Sequence, residues 1–69
     1  AEENLSAREI EVLQLVSKGA SNREIGKTLH ISTATVKTHL IHIFNKLGVD
    51  DRTAAVTVAL ERQIITLNR

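Results

Sequence analysis

One short pattern constrains this chain more than any other: Ser-x-x-Glu occurs at Ser6–Glu9 and again at Ser21–Glu24. In such a capping box the serine hydroxyl accepts from the backbone N–H three residues on. The glutamate carboxylate accepts from the serine's own N–H. Two of the N–H groups orphaned at a helix start are thereby satisfied. Leu5 and Ile10 flank the first box as a hydrophobic staple. Gly19 sits between the boxes, where a left-handed residue ends a helix without penalty. The spacing predicts a helix over 7–18 and a second over 22–29.

His30-Ile31-Ser32 leaves room only for a tight turn. Ser32 caps a third helix, with Ile31 and Val36 as its staple and Thr35 where the earlier boxes hold glutamate. That helix runs over 33–47 and stops at Gly48. Asp50 or Asp51 caps a fourth helix over about 52–62. The segment Ile64–Leu67 reads equally as a frayed last turn or a short extended tail. No proline opposes this, and only three glycines occur. Gly26 lies inside the second helix, at a cost of about 1 kcal/mol relative to alanine. It is expected where another helix approaches too closely for a side chain. The expected fold is all-α, a single four-helix domain over 1–69.

Helical periodicity assigns the core. The first helix buries Ile10, Leu13 and Val16, with Val12 and Leu15 flanking, and the second buries Ile25 and Leu29. The third carries the stripe Val36, Leu40, Ile43, Phe44 and Leu47. The fourth turns Ala55, Val56, Ala59 and Leu60 inward. A chain of 69 residues buries only about 60% of the surface it exposes when unfolded, which is little for a self-contained enzyme. Without cysteine there is no disulfide and no zinc–thiolate site. Phe44 is the single aromatic, too few for base-stacking single-strand binders. No apolar run spans a bilayer, and no membrane partner is expected. The chain begins at Ala1 and contains no methionine, so it is expected to be a piece of a longer protein.

Net charge is +1, but it is unevenly placed. Residues 1–17 set Arg8 against Glu2, Glu3, Glu9 and Glu11, whereas 18–46 set Lys18, Arg23, Lys27, Lys37 and Lys46 against Glu24 alone. A polyanion would be met in that basic band, although an ordinary solvated face fits the same charges. The second and third helices, joined by a three-residue turn, form a helix-turn-helix. Turned away from the buried stripe, the third helix shows Ala34, Thr38, Ile41, His42 and Asn45, with Lys37 and Lys46 on its flanks and Thr35 near its start. Small residues near the N-terminus let the helix approach a major groove. Thr38 and Asn45 can bond base edges, and the lysines can reach guanine edges or phosphates. Ser32 and Thr33, with the free N–H groups beside them, suit a phosphate, as do Ser21, Asn22 and Arg23 at the second helix start.

The order of residues adds to this. Leu5-Ser6-x-Arg8-Glu9-x-Glu11-Val12-Leu13 is followed by Gly19-x-Ser21-Asn22-x-Glu24-Ile25. Then come Leu29-x-Ile31-Ser32-x-x-Thr35-Val36-Lys37-x-His39 and Lys46-Leu47-Gly48-Val49-x-x-Arg52-x-x-Ala55. Over roughly 5–64 this closely resembles the LuxR-type (NarL/FixJ-type) DNA-binding domain of bacterial transcription regulators, many of them two-component response regulators. The resemblance implies sequence-specific binding of double-stranded DNA in the cytoplasm, with the third helix in the major groove and the fourth pairing two copies. It implies base reading by Val36, Lys37 and Thr38, and backbone or groove contacts from His42 and Lys46. Ile41 stands where some members place a base-reading lysine, which bears on the identity of the DNA site. As an aliphatic it can meet only the thymine methyl.

The pairing surface is expected along Ala54, Val58 and Ile65, with Thr57 and Glu61 between them. His39 and His42 have metal-ligand spacing without a third ligand, so no metal, cofactor or catalytic residue is expected. Two other readings remain open: a sigma-factor-like helix-turn-helix, and a helical interaction module that meets an acidic protein.

Overall fold

Every helix starts where a side chain caps it. In the computed structural model, which describes residues 4–67, Ser6 and Ser21 form both expected boxes. In each, Oγ accepts from the glutamate N–H at 3.1 Å and the carboxylate accepts from the serine N–H at 2.8 Å. Ser32 Oγ accepts from Thr35 N at 3.0 Å, and Asp51, not Asp50, caps the last helix. The elements are α1 (Ala7–Ser17), α2 (Asn22–Leu29), α3 (Thr33–Leu47) and α4 (Arg52–Glu61). No strand occurs among the described residues. α1 and α4 stop one residue short of expectation, with Lys18 and Arg62 as C-caps.

Gly19 and Gly48 take positive φ as expected, but His30 does the same at the end of α2, with φ 62°. Histidine is among the few non-glycine residues enriched there. Its conformation turns the chain sharply enough for the Ile31 N–H to donate back to the Gly26 carbonyl at 2.9 Å. A β-carbon on Gly26 would lie 2.6 Å from the Ile31 carbonyl oxygen. The close approach at Gly26 is therefore made by the turn itself and not by another helix.

The core comprises Val12, Leu13, Val16, Ile25, Val36, Leu40, Ile43, Leu47, Ala55, Ala59 and Ile65. Val12 is fully buried while Ile10 is only half-buried, the reverse of the expected order. The cause is that α1 packs more extensively on α3 and α4 than on α2, which shifts its inward face. Leu29, Phe44, Val56 and Leu60, expected inside, are half-buried at the rim.

The last segment is neither frayed nor extended. Gln63 turns left-handed at φ 59°, and the Ile64 N–H donates to the Ala59 carbonyl at 2.8 Å. The chain reverses and drives Ile65 into the core, where it is 3% exposed. Gln14 Nε2 donates to the Thr66 carbonyl at 2.6 Å, tying this tail to α1. Ile65 therefore cannot belong to an external pairing strip.

Candidate nucleic-acid interface

α3 is divided lengthwise. Val36, Leu40, Ile43 and Leu47 anchor it in the core, so Val36 does not face outward to read a base as the resemblance implied, while Thr33, Ala34, Thr35, Lys37, Thr38, Ile41, His42 and Asn45 are exposed. Because the buried stripe comes from packed aliphatics, the outer face is held rigidly. Lys37 has no hydrogen-bond or ion-pair partner among the described residues. Ile41 is 58% exposed. Thr38 Oγ1 already donates to the Ala34 carbonyl at 3.1 Å, so toward any ligand it offers lone pairs. Ser32 Oγ is engaged in its cap and with Thr35 Oγ1 at 2.9 Å.

Lys46 departs from expectation. Its Nζ lies 2.9 Å from Glu9 Oε1 and 3.3 Å from the Asn4 carbonyl oxygen, so it turns toward α1 instead of reaching outward. Glu9 is 5% exposed, and a buried carboxylate is costly without a counter-charge and hydrogen bonds. The spacing of Glu9 and Lys46 in the chain carries no local sign of this pairing, since they lie on different helices.

Burial alone would push the Glu9 carboxyl up. The hydrogen bond from the Lys46 ammonium, the Ser6 N–H, the Lys46 charge and the Ser6 side chain outweigh it and hold the carboxyl below its ordinary value. A carboxyl lowered by folding stabilises the fold above its unfolded value, and that contribution is lost as pH falls through the folded value. Thermal stability should therefore drop on acidification below about pH 4. In Glu9→Gln the part of that drop due to this residue should be missing, while the neutral-pH melting temperature is lower. Parallel melting curves of the two proteins between neutral and acid pH would exclude the role of Glu9.

At the start of α2, Ser21 and Arg23 are exposed and Asn22 is half-buried. Asn22 is gripped by Arg52 from α4, a contact that sequence reasoning did not anticipate. On α4, Ala54 and Val58 are half-buried, and Thr57 and Glu61 are exposed. Thr57 Oγ1 donates to the Thr53 carbonyl at 3.0 Å. With Ile65 inside, the outer apolar strip shrinks to Ala54 and Val58. His39 is half-buried and His42 exposed. No group of three His, Cys, Asp or Glu side chains capable of holding a metal occurs among the described residues. No helix there is long and apolar enough to cross a membrane.

The arrangement matches known proteins. Residues 3–59 fit the family model of bacterial regulatory proteins, luxR family. The response regulator protein VraR of Staphylococcus aureus is 49% identical over 63 residues, covering 91% of this chain. The chain spans only 30% of the length of VraR. The structure of the transcription factor GerE superposes with a TM-score of 0.88 at 33% identity, covering 96% of this chain and all of GerE. VqmA of Vibrio cholera, in a ligand–DNA complex, superposes with a TM-score of 0.84 at 30% identity, over 93% of this chain and 28% of VqmA. From the paired capping boxes to the turn at Gly26 and the divided third helix, this chain belongs to the luxR family of bacterial regulatory proteins.

Proposed function

We propose that this chain is a sequence-specific double-stranded DNA-binding domain that serves transcription regulation in the cytoplasm, as part of a response regulator. α3 enters the major groove, and α4 pairs two copies on DNA. One observation carries the reading: α3 presents an exposed row of small, polar and cationic side chains on a helix locked from behind by the core. The structural likeness to a protein solved with DNA supports it. On this reading Lys37, Thr38, Ile41, His42 and Asn45 face the groove. Ser21, Asn22, Arg23, Ser32, Thr33 and Thr35 lie toward phosphates at the two helix starts. Lys46, paired with Glu9, contributes little direct contact.

Titration with random-sequence duplex DNA across a salt series tests the reading. Affinity should fall linearly in log[salt], as counterions are released. A module built for an acidic protein would hold the duplex only weakly through its cations and would not prefer an operator to random sequence.

A single domain touches too few base pairs for strong selection, and paired copies would set two recognition helices about 10 bp apart. The seam is Ala54 and Val58, flanked by Thr57 and Glu61. Val58→Asp places two like charges across it and should abolish the dimeric gel-shift complex while leaving the far-UV spectrum unchanged. An undiminished dimeric complex would place the seam elsewhere.

Ile41 should sit against a thymine methyl, worth about 1 kcal/mol. Deoxyuridine in place of each half-site thymine should weaken binding at one position, and Ile41→Ala should be insensitive there. If every thymine tolerates the change, Ile41 reads no base.

A further inference from the structure

Arg52 opens α4, and its guanidinium reaches across to the start of α2. Nη1 donates to Asn22 Oδ1 at 2.5 Å, and Nη2 donates to the Ala20 carbonyl at 2.8 Å. Arginine carries donors only, so the Asn22 atom it grips is the amide oxygen. The Nδ2 group, on the other edge of the planar amide, makes no hydrogen bond among the described residues. It stands beside the exposed Ser21 and Arg23.

We propose that Arg52 is a positioning residue for DNA binding: it fixes the Asn22 amide in the one orientation that offers N–H donors to a phosphate oxygen, without touching DNA itself. The inference rests on the DNA-binding reading above. A free asparagine would present its oxygen as readily as its nitrogen, and an oxygen repels phosphate. Holding the oxygen from behind removes that orientation before DNA arrives, so the ordering cost is not charged to binding. The same contact joins the helix proposed for pairing to the helix proposed for backbone contact.

The test uses random-sequence duplex DNA, fluorescence anisotropy over a salt series, and a thermal melt of each variant. Asn22→Ala and Arg52→Gln should each weaken binding by roughly three- to tenfold, the scale of one hydrogen bond. Neither should change the salt slope, because neither removes a charge that meets a phosphate. Arg23→Ala, by contrast, should flatten the slope by about 0.9. The double variant Asn22→Ala with Arg52→Gln should bind no more weakly than Asn22→Ala alone. Arg52→Lys keeps the charge and loses the fork, so it should bind as weakly as Arg52→Gln, including if the glutamine variant melts early. A flattened slope in Arg52→Gln would make Arg52 a direct phosphate contact and overturn the proposal. Additive losses in the double variant, or wild-type affinity in Arg52→Lys, would overturn it as well. Failure of the unmodified chain to bind the duplex at low salt would instead remove the DNA-binding reading, before any variant is compared.

Discussion

Lys37→Ala should weaken binding to the operator by about 1–3 kcal/mol, roughly five- to 150-fold. Lys37 lies in the first two turns of α3, exposed and without a partner among the described residues. Its long stem can carry the ammonium to a guanine edge or a phosphate. Lys46 shows the contrast, because its charge is already committed to Glu9. Anisotropy at physiological salt gives the measurement, with a melting curve to show that the core is intact. Wild-type affinity in Lys37→Ala would mean that α3 is not the reading helix.

A single added methyl group should lower the stability of the fold. Gly26→Ala replaces a poor helix former with the best one, a gain of about 1 kcal/mol by propensity. Here the added carbon would lie 2.6 Å from the Ile31 carbonyl oxygen, a backbone atom that no rotamer change can move aside. Relief requires the α2–α3 turn to shift, and overpacking of this kind costs about 1–3 kcal/mol or more. A net loss of about 1–2 kcal/mol is expected, which for a domain of this size lowers the melting temperature on the order of 5–15 °C. The same shift would tilt α3 against the core, so DNA affinity should fall with it. A melting temperature equal to or above wild type would show that the turn yields freely.

The helices were legible because their starts are written in consecutive side chains. Ser6, Ser21, Ser32 and Asp51 need only a local backbone to act. The exposed face of α3 was legible for the same reason, since a periodic stripe defines its own opposite side. What the pattern could not supply were contacts between residues far apart in the chain. Lys46 reads as an outward cation until Glu9 is found buried beside it. Arg52 reads as an ordinary surface residue until α4 brings it to Asn22. Ile65 reads as the continuation of an α4 strip because helical spacing was extended past Arg62. The left-handed Gln63 breaks that periodicity, and no glycine announces it. His30 ends α2 by the same unannounced means.

The return of the tail sets a lower bound on the folding unit. The span matched to the family ends at residue 59, yet Ile65 fills part of the core and Thr66 is bonded to Gln14. A fragment trimmed to the matched span would expose the undersides of α1 and α4 to water where that isoleucine sat. Losing a buried aliphatic of this size costs about 2–5 kcal/mol, comparable to the whole stability of so small a domain, roughly 3–10 kcal/mol at the usual value per residue. The span matched to the family is thus shorter than the span that closes the core. Grafting the exposed face of α3 onto another protein requires carrying the C-terminal residues along as the lid of its own interior.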